Sequence, residues 1–170
     1  QALELAAQNP NVMIKCPGTA KGICLLRRLT AMGFATNCTL AFTLPQFVSV
    51  MDAVQSGLAE AKTNQVNMYR WRSVTTHMSA RYEERQAFDE SAAEVGVKLT
   101  LEDKRWAGIA IFRKAYKVAK RRGYPGKMLF CSMRPGPIVD GVEHIWHLEQ
   151  IAGGRMVFTC PPDILTKMWE

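Results

Sequence analysis

The chain has little of what marks membrane, disulfide-stabilised or metal-binding proteins. No apolar run approaches the roughly 18 residues that a membrane-spanning helix needs, and the first residues do not follow the basic-then-apolar order of a signal sequence. The five cysteines include no C-x-x-C pair. Their odd number and their positions indicate small buried side chains in a reducing compartment rather than a disulfide framework. We therefore expect a cytoplasmic protein without a metal or other cofactor.

The composition is that of an ordinary globular protein. The chain has 170 residues, 48% of them hydrophobic and 22% charged, which favours one domain over residues 1–170 with a sizeable core. The net charge of +7 suits an anionic ligand such as a sugar phosphate. Nucleic acid is also compatible with this charge, because charge alone does not distinguish the two.

Strand and helix patterns alternate along the chain. Predicted strands cover residues 12–15, 34–42, 65–71, 127–132 and 155–159; predicted helices cover residues 1–8, 21–32, 45–62, 106–122, 142–151 and 162–169. The polar stretch 73–95 is interpreted as an excursion or lid. This alternation predicts an α/β fold with a parallel sheet and right-handed crossovers.

Lys15 is the first candidate for chemistry. It follows the short apolar run Val12-Met-Ile14, which is typical of a strand buried on both faces. Parallel strands direct their last side chains into the crevice where α/β proteins bind ligands. Burial would favour the neutral amine, the form that attacks a carbonyl to make a Schiff base. The simpler interpretation is a surface lysine at the end of a strand.

Two linked segments resemble a known family. The first reads Ile14-Lys-Cys-Pro-Gly-Thr19, and after a helix closed by Gly33 the second reads Asn37-Cys-Thr-Leu-Ala-Phe-Thr43, with Gln46 following. Both segments, and the interval between them, resemble the strand motifs of the transaldolase family of class I (Schiff-base) aldolases.

The resemblance implies a (β/α)8 TIM-barrel fold of which this chain carries about five β/α units. The matched part corresponds to the family's fourth through eighth strands, so we expect a partial barrel. A fragment, a processed chain, or one half of an assembly would each fit. A companion chain or segment would then supply strands one to three, and exposed sheet edges would favour oligomers.

The resemblance also implies roles for polar residues on the first two matched strands. Lys15 would form the Schiff base, Asn37 would hydrogen-bond a sugar hydroxyl, and Thr39 would hold a water that shuttles protons. The alternative is a purely structural role, in which the asparagine and the threonine belong to a strand and make only local hydrogen bonds.

The next family segment is matched best by Thr76-His-Met-Ser-Ala-Arg81. The resemblance implies that Thr76 contacts the substrate and that Arg81 contacts its phosphate. Met78 replaces the family's aromatic residue, which argues against the tyrosine proton relay of the fructose-6-phosphate aldolase branch. An ion pair between Arg81 and Glu84 on a helix is the alternative for this arginine.

Ser132-Met-Arg134 matches the segment that ends the family's seventh strand. The resemblance makes Ser132 and Arg134 substrate-binding residues. An arginine at the carboxyl end of a strand is well placed to hold phosphate through its planar guanidinium. With Arg81 it would form a clamp of two arginines.

Other patterns have simpler explanations. His144 and His147 lie three residues apart but have no third ligand at a suitable spacing, so we expect no metal site. His77 is equally compatible with a structural and a catalytic role. Six basic residues on the helix 106–122 suggest a solvated face, which makes nucleic acid an unlikely partner. They are Arg113, Lys114, Lys117, Lys120, Arg121 and Arg122.

The leading hypothesis is a transferase that moves a dihydroxyacetone unit between sugar phosphates, as in the pentose phosphate pathway. The family's proton-transferring acids lie on its first and third strands, which have no counterpart here. The alternative is therefore a catalytically impaired partial barrel that binds phosphorylated ligands or a protein partner.

Overall fold

Five parallel strands form the central sheet of the protein. The computed structural model describes residues 1–9 and 11–169. The strands are β1 (Ile14–Pro17), β2 (Thr36–Thr39), β3 (Ser73–Met78), β4 (Lys127–Cys131) and β7 (Met156–Phe158). They lie side by side in that order, and every neighbouring pair is parallel. Sequential parallel order is the arrangement of consecutive units in a β/α barrel.

Helices connect the strands. They are α1 (Ala2–Gln8), α2 (Ala20–Ala31), α3 (Leu44–Thr63), α4 (Arg81–Glu84), α5 (Gln86–Glu94), α6 (Leu101–Arg121), α7 (Trp146–Glu149) and α8 (Pro162–Lys167). The predicted helices at 1–8, 21–32, 45–62 and 162–169 are confirmed. The helix predicted over 106–122 is also confirmed, although α6 begins five residues earlier. In the part of the chain that the structure describes, no helix is both long and apolar enough to cross a membrane.

The hydrophobic core lies between one face of the sheet and the helices. Under β1 and β2, Ile14 and Cys16 pack with Leu26 of α2 and Val50 of α3. Under β3 and β4 a second cluster contains Phe47, Met51, Ile109, Phe112 and Phe130. Burial of this apolar surface holds α2, α3 and α6 against the sheet.

Helix α3 starts at a capping motif that also connects two loops. Thr43 and Gln46 form a capping box at the start of α3, which satisfies backbone N–H groups that a helix leaves free. The Gln46 amide nitrogen also donates to the Gly18 carbonyl at 2.9 Å. Gln46 therefore ties the loop after β1 to the loop after β2, and so fixes the strand ends of both motifs.

The expectation that the first strand is buried on both faces is wrong. In β1, Ile14 and Cys16 are buried, whereas Lys15 and Pro17 are exposed. Side chains alternate across a strand, and only one face of β1 lies on the core of α2 and α3. Lys15 belongs to the open face, so the burial expected for its amine is not seen in this chain.

The strand predicted at 65–71 is also wrong, and the third strand lies at Ser73–Met78. Gln65 has a left-handed φ of 54°, and Tyr69 is 83% exposed. The stretch 65–71 contains the apolar residues Val66, Met68 and Trp71, but they do not keep the two-residue spacing of a half-buried strand. The actual strand is rich in Ser and Thr but is paired on both sides, so it is not part of a lid.

The helix predicted over 142–151 is mostly wrong. The first two residues of this range form β6 (Val142–Glu143), which pairs with β5 (Ile138–Val139) in a hairpin, and only Trp146–Glu149 is helical. Asp140 and Gly141 both have positive φ, 49° and 81°, as the two central residues of a type I′ hairpin turn require. The Asp-Gly pair was the signal for this turn in the sequence.

His77 is a core residue. Its side chain is fully buried among Phe47, Tyr82, Phe112 and Phe130, and its Nε2 lies 2.9 Å from the Gly108 carbonyl oxygen. A carbonyl oxygen only accepts, so Nε2 donates. Of the two roles left open by the sequence, the structure supports the structural one.

His77 should make the stability of the protein sensitive to mild acid. Burial lowers its pKa from 6.5 to about 4, so between these values the unfolded chain binds the proton and the folded chain does not. The free energy of unfolding should therefore fall by roughly 3 kcal/mol as the pH drops from 6.5 to 4. Urea denaturation at a series of pH values measures this slope.

His77→Gln serves as the control, because its amide can still donate to the Gly108 carbonyl but does not titrate. The slope between pH 6.5 and 4.5 should largely disappear in this variant. An unchanged slope would assign the pH dependence to another group.

Candidate active site

The open face of the sheet gathers the polar residues of the two motifs. In the strand register Lys15 lies opposite Asn37, and Pro17 lies opposite Thr39. Thr76 of β3 donates through its hydroxyl to the Asn37 Oδ1 at 2.7 Å. Lys15 and Asn37 are at paired positions, whereas Asn37 pairs with Val74 of β3. Thr76 lies two residues beyond Val74 and so on the same face of the sheet, which makes Lys15, Asn37 and Thr76 a diagonal row across three strands.

Thr39 lies at the carboxyl end of β2, close to Met78. Its hydroxyl lies 3.8 Å from the Met78 sulfur, a weak acceptor, and the Thr39 side chain is buried. The position at which the sequence match has an aromatic residue is therefore occupied here by a thioether in contact with Thr39. A thioether has no proton to donate, so Met78 offers no acid group to this face.

The Cys131 thiol is influenced by the charges of both Lys15 and Arg81. Burial raises the pKa of the Cys131 thiol, while the positive charges of Lys15 and Arg81 act in the opposite direction. Both cations are therefore close enough to act on the last residue of β4.

Cys16 and Cys38 are buried as the sequence predicts, whereas Cys131 and Cys160 are only partly buried. Cys24 is exposed on α2, so the prediction of a buried side chain is wrong there.

Arg81 and Arg134 converge on one carboxylate. Glu84 Oε2 accepts from Arg81 Nη1 at 3.1 Å, and Glu84 Oε1 accepts from Arg134 Nη2. The ion pair expected as the alternative for Arg81 is thus present, but the same carboxylate also binds the second arginine. The two guanidinium groups are arranged around a single anionic group.

Backbone pairing beyond the strand ends brings the two arginines together. The Ser79 N–H donates to the Cys131 carbonyl and the Ala80 N–H donates to the Ser132 carbonyl, both at 3.1 Å. Ser132 has a left-handed φ of 62°, which is uncommon for a residue with a side chain and occurs often at functional sites. The turn at Ser132 directs the chain towards α4, where Arg81 lies.

Three charged or polar residues beneath this site were missed by the sequence reasoning. Glu83, Arg105 and His147 are buried together: Arg105 Nη2 lies 2.8 Å from Glu83 Oε2, and His147 Nε2 lies 2.8 Å from Glu83 Oε1. Burial alone would raise the pKa of Glu83, but its close contacts with His147 and Arg105 hold the pKa below its usual value.

The two histidines of the segment 144–147 have separate partners. His144 pairs with Glu149 at the surface, whereas His147 points to Glu83. Among residues 1–9 and 11–169 no three His, Cys, Asp or Glu side chains form a group that could hold a metal ion. The six basic residues of α6 and its C-cap are exposed, and Arg122 pairs with Asp52 of α3.

Comparison with known proteins assigns the chain to a family. Residues 1–170 match the profile of the family described as Transaldolase/Fructose-6-phosphate aldolase. The chain belongs to this family. The parallel sheet of five strands fits the family's barrel architecture.

Several curated transaldolases are similar to the chain. The transaldolase of Thiobacillus denitrificans is 30% identical over 172 residues, which cover 94% of this chain and 47% of that protein. That of Saccharopolyspora erythraea is 37% identical over 83 residues, covering 48% of this chain and 23% of that protein. That of Arthrobacter sp. is 33% identical over 108 residues, 64% of this chain and 29% of that protein. The chain thus spans at most about half the length of these relatives.

Proposed function

We propose that this chain carries the Schiff-base centre of a transaldolase-like transferase. In the proposed reaction Lys15 takes up a dihydroxyacetone unit from a ketose phosphate and passes it to an aldose phosphate, as in the pentose phosphate pathway. The observation that carries the proposal is the row formed by Lys15, Asn37 and Thr76 on one face of the sheet. Membership of the family supports the same chemistry.

In the proposed first step, the neutral Lys15 amine attacks the C2 carbonyl of the ketose phosphate. Loss of water from the adduct gives an imine. The C3–C4 bond then breaks, its electron pair moves towards the imine nitrogen, and the C4 hydroxyl gives up its proton as the shorter aldose phosphate leaves. Attack of the resulting enamine on the acceptor aldehyde, followed by hydrolysis, releases the new ketose and restores Lys15.

The polar residues of the row would orient the substrate. Because Asn37 Oδ1 accepts the Thr76 hydroxyl proton, its amide nitrogen is the group left to donate to a sugar hydroxyl. We propose that Thr39 holds the water that moves protons, since among the residues that the structure describes its hydroxyl has only the weak thioether of Met78 as an acceptor. Ser132 would contact the substrate from the end of β4.

Proton transfer by a carboxylate requires a contribution from outside these strands. The five strands of the described sheet contain no aspartate or glutamate. A placed acid or base typically contributes ~10²–10⁴ in rate. We therefore propose that a companion chain or segment supplies the acids together with strands one to three, and that the assembled protein works in the cytoplasm.

A second candidate function follows from the exposure of Lys15 and the lack of carboxylates on the five described strands. With Lys15 exposed and no carboxylate on these strands, the chain could serve as a non-catalytic partial barrel that binds phosphorylated ligands or a protein partner. Incubation with a ketose phosphate and an aldose phosphate separates the two functions. The transferase forms a new ketose phosphate, detected by mass spectrometry, whereas the binding protein leaves both sugars unchanged.

The proposed phosphate clamp predicts a selective loss of affinity. Arg81→Ala and Arg134→Ala should each weaken the binding of a ketose phosphate by about 1.5–3 kcal/mol, because each removes a charge-assisted hydrogen bond to phosphate. Titration calorimetry with the ketose phosphate and with unphosphorylated dihydroxyacetone measures the difference.

Arg85→Ala is the matched control, since Arg85 is an exposed arginine directly after α4. It should change neither affinity appreciably. Equal losses for the phosphorylated and unphosphorylated ligands in the Arg81 and Arg134 variants would contradict the assignment of the clamp.

A further inference from the structure

Beneath the two arginines lies a buried charged network built from three separate helices. Glu83 comes from α4, Arg105 from α6 and His147 from α7, and their side chains are only 5%, 6% and 0% exposed. Charged groups are rarely buried to this extent unless they are paired. Apolar residues at such positions usually stabilise a protein at least as much as a buried ion pair does. Stability alone therefore does not explain the network, and we look for a functional role.

The network contacts the loop that carries Arg134. His147 Nδ1 accepts the backbone N–H of Arg134 at 2.9 Å. Because Nδ1 accepts, the ring proton lies on Nε2, which lies 2.8 Å from Glu83 Oε1 but without the alignment of a hydrogen bond. The Arg105 guanidinium lies against Gly136 of the same loop, where an added Cβ would stand 2.8 Å from Nη1. The loop is thus held by a hydrogen bond at Arg134 and lies close to the Arg105 guanidinium at Gly136.

The same network also holds the helix that carries Arg81. Glu83 lies two residues after Arg81 on the four-residue helix α4. Glu83 faces inward to Arg105 and His147, while the adjacent Glu84 faces outward to both arginines. One chain of contacts therefore runs from α4 through Glu83 and His147 to the backbone of Arg134.

We propose that Glu83, Arg105 and His147 are positioning residues that set the separation of Arg81 and Arg134 for a phosphate group. This inference rests on the proposed function, because it assigns the phosphate to the gap that Glu84 now bridges. The network acts through the arginines and touches neither the sugar nor Lys15. Loosening it should impair the recognition of phosphate and leave chemistry at Lys15 intact.

The test compares two probes in each variant. Inorganic phosphate, measured by titration calorimetry, reports on the clamp, and dihydroxyacetone trapped on the protein by borohydride reports on the lysine. Glu83→Gln keeps the shape of the side chain but removes its charge. The affinity for inorganic phosphate should fall by about tenfold, because binding sites whose supporting residues are loosened lose affinity. The amount of dihydroxyacetone trapped on the protein should not change. Glu90→Gln, an exposed change of equal charge on α5, should affect neither probe.

A pair of changes at His147 gives an independent measurement if Glu83→Gln fails to fold. His147→Leu removes the acceptor of the Arg134 N–H, whereas His147→Asn offers its side-chain oxygen to the same donor. Phosphate affinity should fall with leucine and be partly restored with asparagine. Thermal denaturation identifies which variants remain folded.

Three results would overturn the inference. Folded Glu83→Gln or His147→Leu could bind phosphate as tightly as the original protein. Both probes could fall together, which would indicate a general structural role. Arg134→Ala could leave phosphate affinity unchanged, which would remove the clamp itself. Failure of the proposed function is a different outcome: dihydroxyacetone would then not be trapped at all, while the phosphate affinities would still be measured.

Discussion

Arg105→Met should lower the free energy of unfolding by about 3–5 kcal/mol, the cost of breaking a buried ion pair from one side. Arg105 donates to Glu83 Oε2 from both Nε and Nη2, at 3.1 and 2.8 Å. Methionine has similar length but no donor, so the Glu83 carboxylate would be left buried with His147 as its remaining partner. Urea denaturation near pH 7 measures the loss.

Two further variants make this result specific. Arg113→Met changes an exposed arginine on the same helix α6 and should shift stability by less than about 0.5 kcal/mol. The double variant Glu83→Gln/Arg105→Met removes both charges and should be more stable than Arg105→Met alone, because the uncompensated carboxylate is gone. A loss below about 1 kcal/mol for Arg105→Met would show that the pair contributes little.

Lys15→Met should abolish the adduct that borohydride traps in the presence of dihydroxyacetone or a ketose phosphate. An imine needs a primary amine, and methionine removes the amine while keeping a flexible side chain of similar size. Because Lys15 is exposed, the substitution should leave thermal stability nearly unchanged. Intact-mass spectrometry of the reduced protein measures the adduct.

Lys127→Met is the matched control for this experiment. Lys127 is also an exposed lysine on a strand, but it stands at the start of β4, away from the carboxyl ends where Asn37 and Thr39 lie. Trapping should persist in this variant. Equal adduct in the original protein and in Lys15→Met would contradict the role assigned to Lys15.

The sequence was most informative where function and local structure share the same residues. The motif of β1 and the motif of β2 each contain a strand, a turn and the start of a helix. Their spacing therefore predicted that Lys15 and Asn37 lie on adjacent strands, and the register places them opposite each other. Capping by Thr43 and Gln46 reinforces the same local pattern.

Long-range polar contacts were beyond this reasoning. Glu83 and Arg105 come from helices separated in the chain, and the charge-rich stretch containing Glu83 was interpreted as a lid. One signal was present in the sequence: Arg105 precedes Ile109 by four residues and Phe112 by seven, so it lies on the buried stripe of α6. A charged residue on an apolar stripe predicts a buried partner, although it does not identify which one.

The prediction of the third strand was wrong because the burial of that segment depends on the strands beside it and not on its own composition. Ser73–Met78 contains serine, threonine and histidine, and only its pairing with β2 and β4 makes it a central strand. The Asp140–Gly141 pair that forms the hairpin turn lies directly before the range predicted as a helix, and it was not used in that prediction. Local turn chemistry was the better guide at that position.

The most direct test of the central claim is to locate the trapped adduct in the chain. The protein, together with the segment that completes its barrel, is incubated with a ketose phosphate, reduced with borohydride, digested and analysed by tandem mass spectrometry. We expect the sugar-derived mass on Lys15, with Lys21, Lys62 and Lys127 unlabelled. Label on another lysine, or no label in the completed barrel, would contradict the Schiff-base function.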